Sequence, residues 1–415
     1  MGMTIIEKIL ARASGAAKLA PGDLAVVDVD LSVLIDLSFS RGSWREVLKV
    51  HNPENVVVVF DHDVPASNRE TAAMHVRGRD FVRRFGIRRF HDVGPDQGIS
   101  HVVVAENAYC LPGTVMACSD SHTCSAGALN CAARGLGAPD LLYAVTTGKT
   151  WFRIGETVRY DLEGQLGEGV STKDVFLHIA GTHGDHANQN VEFGGAALPY
   201  LSIDARRTLT TMGAELSAEF ATFEPDEVLI DYVKARSPAP FEPQYPDADA
   251  VYVARRGIDL STLSPMVALP DRVIRNTVPV EEAAGEPIQQ AFIGSCANGT
   301  LDDLAEAARV LKGRHVAPGV RLLVTPGSQR IAAAAAKAGY LQTLLDAGAV
   351  VTPATCGACY GGHMGVLGPG ETCITASTRN FKGRMGDATA RIYMASPATV
   401  AASAVAGWIT HPGSL

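Results

Sequence analysis

No segment of this chain approaches the apolar length that a bilayer core demands, so a membrane-spanning helix is not expected. Residues 1–14 lack the apolar centre of a secretion signal. Glu7, Lys8 and Arg12 punctuate them in the pattern of an amphipathic helix, and a cytoplasmic protein is expected. Excess basic charge is missing as well. The 36 Lys and Arg face 44 Asp and Glu, a net charge of −8, which disfavours nucleic acid or an anionic membrane as a partner for the whole surface. Only a local basic groove remains open. There is no Gly-x-Ser-x-Gly, hence no nucleophile elbow, and no internal repeat. Eight cysteines in a reducing compartment read as thiols or metal ligands rather than as a disulfide framework.

What the chain does have is bulk and a recurrent strand-to-helix grammar. Its 415 residues exceed what one hydrophobic core usually serves, which predicts two or three domains. Val56-Val57-Val58-Val59-Phe60 is a continuous apolar run of the kind buried on both faces of a parallel sheet, and it ends at Asp61-His62. Those polar groups thus fall at the carboxyl end of a strand, where open α/β sheets bind ligands. Val115-Met116-Ala117-Cys118 likewise leads into Asp120-Ser121-His122 and then an Ala-rich helix. Ala291-Phe292-Ile293 leads into Cys296 and a helix over 301–311, and a strand over 321–325 precedes a helix over 329–338. Such alternation predicts βαβ units in an α/β/α sandwich. The change of character after Trp151 and the prolines 238, 240, 243 and 246 in the stretch 236–248 divide the chain into expected domains 1–152, 153–269 and 270–415.

The most informative residues are three cysteines: Cys296 in Gly294-Ser295-Cys296-Ala297-Asn298, and the pair Cys356 and Cys359 on one tight turn. Three thiolates can hold three irons of a cubane cluster and leave the fourth open as a Lewis acid, whereas a closed structural site needs four protein ligands. A CxxC alone is also produced by zinc ribbons and redox dithiols, and a lone buried cysteine is ordinarily a small hydrophobe. His363 would complete a Cys3His zinc set.

The surrounding motifs narrow these options. Asp120-Ser121-His122-Thr123-Cys124, Gly294 to Gly299, Cys356-Gly357-Ala358-Cys359-Tyr360-Gly361-Gly362-His363 and Arg379-Asn380-Phe381-Lys382-Gly383-Arg384 occur in one order. In these motifs, and from about Thr4 to the C-terminus, the chain resembles the aconitase superfamily, most closely its isopropylmalate dehydratase and homoaconitase large-subunit branch. The resemblance implies three-layer α/β/α domains without the swivelling fourth domain. It also implies a 4Fe-4S cluster on Cys296, Cys356 and Cys359, and a hydro-lyase of leucine-type amino-acid biosynthesis that dehydrates and rehydrates a branched hydroxy dicarboxylate.

Dehydration beside a carboxylate must remove a weakly acidic carbon-bound proton and expel hydroxide. A metal addresses the second step by polarising the leaving group. By resemblance, Asp61 with His62, His101, and Asp120 with His122 form the acid side, with a carboxylate fixing each tautomer. Read in isolation, Asp61 and Asp120 equally suit helix caps. Arg379 and Arg384 are the expected substrate clamps, since guanidinium forks match carboxylates bidentately. Ser121 is expected to bind substrate or cap a helix, and Glu215 aligns with a family active-site carboxylate although its local pattern is that of a helix-surface glutamate.

Four positions depart from the family pattern: Ile35 before Asp36, Thr211, Ala297 and Thr378. Three of them stand where relatives carry asparagine or threonine near the cluster, which leaves the metabolite open, so a methylmalate, maleate or phosphinomethylmalate type of substrate stays a second reading. A non-catalytic zinc- or RNA-binding relative is the rival from another class. Cys118 and Cys124 flank the Asp120 motif and read as inert buried thiols. Because the sequence stops after a short tail beyond its last Ala-rich helix, a separate small swivelling-domain subunit is expected to supply the base and close over the cluster.

Overall fold

The computed structural model describes residues 2–415. Three parallel-rich sheets organise the chain. The first is five-stranded and wholly parallel, in the order Arg89–His91, Val56–Val59, Leu31–Ile35, Val115–Cys118 and Ala132–Gly135. Val56–Val59 is buried along its whole length, as a β-branched strand flanked on both sides must be. One face packs on the Arg69–Phe85 and Ala138–Thr147 helices through Met74, Phe81, Leu141 and Val145. The other packs on Ser100–Glu106 and Glu227–Lys234 through Val103, Val104, Leu229 and Val233. Asn68 starts the Arg69–Phe85 helix by accepting from the Glu70 and Thr71 N–H groups, and Gly86 ends it in the left-handed region.

The second sheet is four-stranded and parallel, Ala221–Phe223, Gln189–Gly194, Glu156–Glu163 and Ala254–Asp259. Its apolar face carries Val158, Tyr160, Phe193 and Phe223 against the Thr172–Thr182 and Ile203–Met212 helices. The third has seven strands, with Gln290–Ile293 lying between Thr372–Thr375 and Arg321–Val324. Helices Leu301–Leu311, Gln329–Lys337, Tyr340–Asp346 and Pro397–Ala406 cover one face. The Cys359 turn and the loops through Leu367 and Met385 cover part of the other. An antiparallel strand pair, Leu24–Asp28 with Lys149–Arg153, flanks the first sheet.

Two expectations need correction. The residues after His122 do not form an Ala-rich helix: Ser121–Leu129 is a 3-10 segment that ends at Asn130 in the left-handed region and passes directly into the strand Ala132–Gly135. Gly127 sits so tightly on the Ala221 backbone that a Cβ would lie 1.7 Å from its carbonyl oxygen, and packing of that kind overrides alanine's helix propensity. The third sheet also begins before residue 270, because Met266–Ala268 pairs with Arg391–Ala395.

The first and third sheets meet at their carboxyl ends. The Cys356 N–H donates to the Asp61 carbonyl at 2.7 Å, and the Thr355 hydroxyl donates to the Asp61 and His62 carbonyls at 2.9 and 3.0 Å. The cysteine turn of one sheet is thereby fixed to the Asp-His motif of the other.

Candidate functional site

Asp61 leaves the Val56–Val59 strand fully buried and serves both roles open to it. Its Oδ1 lies 2.7 Å from His62 Nδ1, while Oδ2 accepts the Ser100 N–H at 2.8 Å at the start of the Ser100–Glu106 helix. Asp36, one strand over, supports the same histidine. It accepts the His62 and Asp63 N–H groups at 3.2 and 2.9 Å and stands 3.6 Å from His75 Nε2. Burial opposes its ionisation, but hydrogen bonds from His62 and His75 hold it well below the usual carboxylate range.

Asp120 is the hub of the cluster. Its Oδ1 accepts from His101 Nε2 at 2.9 Å and from the His122 N–H at 2.8 Å, and Oδ2 lies 3.4 Å from His62 Nε2. Burial would raise its pKa, yet contacts from three histidines hold it well below the ordinary value. Burial pushes His62 down, but the charges of Cys356 and Asp61 outweigh it and raise the imidazole well above its usual value. His122 Nε2 meets Glu215 Oε1 at 3.0 Å, and Arg379 Nε donates to the same oxygen at 2.6 Å. Glu215, which reads locally as a surface residue, is thus drawn into the site by the 3-10 turn Gly213–Leu216.

The His122 and Glu215 pair yields a pH prediction. Burial lowers His122, but Asp120 and Glu215 raise it overall. Burial raises Glu215, but His122 and Arg379 lower it overall. A raised histidine stabilises fully below about pH 6.5, and its contribution fades as pH climbs through the folded-state value. A lowered carboxylate stabilises above about pH 4.5, and its contribution fades as pH falls through the folded-state value. The pair therefore contributes most between those limits, and Glu215→Gln should flatten the dependence of denaturation midpoint on pH across that window. An unchanged profile would place the pair outside the stability balance.

The three cysteines open on one small cavity of about 20 Å³, lined also by Asp61, His62, His101, Asp120, His122, Ser295, Thr378 and Arg384. Cys296 follows the Gln290–Ile293 strand in the short helix Ser295–Asn298, where Ser295 has φ +85°. The Ile203–Met212 helix pins that turn: Arg207 donates to the Cys296 carbonyl at 3.0 Å and the Thr208 hydroxyl to the Ala297 carbonyl at 2.8 Å. Burial raises the Cys296 and Cys356 thiols. Cys359 is lowered instead, because Arg384 and the Thr378 N–H overcome burial. An Arg384 terminal nitrogen lies 3.9 Å from Cys359 Sγ. Ligand atoms of Asp61, His62 and Cys356 lie within 4.8 Å of one another.

Other candidates fall outside this cavity wall. Arg379 reaches the constellation through Glu215. Ser121 is exposed and makes no side-chain hydrogen bond among the described residues. His363 turns its Nε2 onto the His62 carbonyl at 3.0 Å rather than joining the cysteines. Burial pushes Cys118 and Cys124 up to about 12, which keeps them as thiols.

A family model of the aconitase family (aconitate hydratase) matches residues 42–286 and 274–407. The chain belongs to the aconitase family. Among its relatives, the 3-isopropylmalate dehydratase large subunit of Mycolicibacterium smegmatis is 54% identical, over 99% of this chain and 97% of that protein. The probable 3-isopropylmalate dehydratase large subunit of Methanothermobacter thermautotrophicus is 44% identical over the full length of both. The crystal structure of Thermococcus kodakaraensis aconitase X (holo-form) shares the fold at 14% identity, with a TM-score of 0.51 and 88% of each chain covered. No helix among the described residues is long and apolar enough to cross a membrane.

The four departures from the aconitase-family pattern differ in their surroundings. Ile35 is buried in its strand and Ala297 lies fully inside the core. Thr378 Oγ1 stands 3.7 Å from Cys359 Sγ, and the buried Thr211 hydroxyl has no hydrogen-bond partner. Asp36 is the main participant in this aconitase-family site that sequence reasoning missed. Its signal was available, since it too follows an apolar strand.

Proposed function

We propose that this chain is the large catalytic subunit of a 3-isopropylmalate dehydratase, a hydro-lyase that dehydrates and rehydrates a branched hydroxy dicarboxylate. The observation that carries the reading is the convergence of three thiols and three histidines, held by Asp61 and Asp120, on one small cavity, in a chain that aligns from end to end with relatives of that name. The donor set fits a 4Fe-4S cluster. Cys296, Cys356 and Cys359 are the cysteines of the cavity wall, and histidines and carboxylates rather than a fourth thiol line the rest. When bound, the cluster supplies an open iron that polarises the leaving hydroxyl and an adjacent carboxylate.

The chain's own groups do the remainder. Asp61 holds the Nδ1 proton of His62, which leaves Nε2 as the atom that delivers a proton to departing hydroxide. Asp120 orients His101 and His122 together. Arg379 gives its Nε to Glu215 and keeps its terminal nitrogens for a substrate carboxylate, while Arg384 lines the cavity beside Cys359. Arg379→Lys cannot both hold Glu215 and form a bidentate fork. Its kcat/KM should fall by about 2 to 4 kcal/mol of transition-state stabilisation. An unchanged ratio would place Arg379 outside the site.

The relatives are named as large subunits, and we read the carbon-bound proton as passing to a base on a small subunit that closes over the cavity and excludes water. The deciding experiment assays the anaerobically loaded chain with and without a candidate small subunit, across isopropylmalate, methylmalate and maleate. Turnover of isopropylmalate only in the presence of the partner supports the reading. Full turnover by the isolated chain overturns the two-subunit part, and preference for another dicarboxylate overturns the substrate.

A further inference from the structure

Lys173 stands near the start of the Thr172–Thr182 helix and is wholly buried. Its ammonium donates to the Ser377 carbonyl at 3.0 Å and lies 3.5 Å from Met212 Sδ, and among the described residues it makes no ion pair. An ammonium taken out of water without an adjacent carboxylate is costly, so such a group persists only where other negative charge compensates it. Burial lowers its pKa to about 8, with Asp303, Cys296, Cys359 and Glu215 opposing, and it therefore remains mostly charged near neutral pH.

Of those four groups, Glu215 is shared with other cations, whereas Asp303 is held by uncharged donors and keeps its charge. Asp303 accepts from the Thr300 N–H and hydroxyl and from Asn298, which cap its own helix. Glu215 is held by His122 and Arg379. Asp303, whose donors are uncharged, and the two cysteines are therefore the negative groups left to compensate Lys173. The geometry agrees, because Ser377, whose carbonyl accepts the hydrogen bond from Lys173, directly precedes Thr378, and the Thr378 hydroxyl lies 3.7 Å from Cys359 Sγ inside the cavity wall.

We propose that Lys173 is a fixed positive charge behind the cavity wall that balances the thiolates holding the cluster, a positioning residue that governs how firmly the cluster is retained and how readily it accepts an electron. The inference rests on the cluster reading above. In the cluster-free chain the same charge is a burden, so removing it has opposite consequences in the two forms.

The test uses the full chain, loaded anaerobically, with Lys173→Met, which keeps the aliphatic stem, and Lys173→Gln as a second neutral variant. Both should lose iron to a chelator several-fold faster than wild type, and their cluster midpoint potential should shift to more negative values. The melting temperature of their cluster-free forms should be unchanged or higher. Unchanged iron loss and potential with a lowered cluster-free melting temperature would assign Lys173 a packing role and overturn the proposal. Failure of both variants to fold would overturn it too, since an uncompensated buried cation should not sustain the fold. A wild-type chain that takes up no iron and sulfide overturns the cluster reading itself, an outcome distinct from a loaded wild type and indifferent variants.

Discussion

Serine at Cys296, Cys356 or Cys359 should abolish both the iron content of this chain and its turnover in the presence of the small subunit. The wild type prepared without air should be brown and carry about four irons per chain, as three thiolates and one open iron would require. The thiolate is the ligand, and a serine hydroxyl of nearly the same size does not ionise to replace it. The fold should survive the change, because Cys296 and Cys359 are buried at the cavity wall and serine preserves their outline within one atom. Arg384 and the Thr378 N–H favour the ionised form of Cys359. Iron, sulfide and absorbance measured on each variant decide the matter. Stoichiometric zinc together with full activity would sink the cluster reading.

Asp120→Asn should cost about ten-thousandfold in kcat while leaving the fold intact, the scale seen when a carboxylate that orients a catalytic histidine is made neutral. Asparagine still accepts the His122 N–H through its amide oxygen, so the backbone turn persists. What it loses is the charge that His101 Nε2 donates to and that faces His62 Nε2. With that charge gone, His101 loses the partner that fixes its tautomer, and the proton on His62 Nε2, which faces Asp120, is held less tightly while Asp61 still holds Nδ1. The measurement is a kcat profile against pH, with circular dichroism as the control on folding. A variant with wild-type kcat and an unmoved acid limb would remove Asp120 from the proton path.

Much of this was legible in the chain itself. Runs such as Val56-Val57-Val58-Val59 and Ala291-Phe292-Ile293 become fully buried parallel strands because β-branched and aromatic residues without polar alternation have no solvent face to offer. The polar groups that follow them, Asp61, His62, Asp120 and Cys296, therefore fall at the carboxyl ends of strands wherever those strands pair. The helix Leu301–Leu311 was fixed by its own start signal as well, Thr300 and Asp303 forming a capping box.

Local pattern could not say which of these ends would face one another. Glu215 has the neighbourhood of a surface residue until the Ile203–Met212 helix, pinned to the Cys296 turn by Arg207 and Thr208, delivers it to His122 and Arg379. His363 has the spacing of a fourth zinc ligand until its ring is turned onto the His62 carbonyl. The residues after His122 have the alanine content of a helix until Gly127 is pressed against Ala221. The sequence by itself determined the strands, the motifs at their ends and the family's three cysteines, because these depend on side-chain type and spacing within a few residues. Only the tertiary structure decided that Asp36 stands beside His62 and that Glu215 joins His122 to Arg379, because proximity between segments far apart in the chain is set by how sheets and helices pack, and no short-range periodicity encodes it.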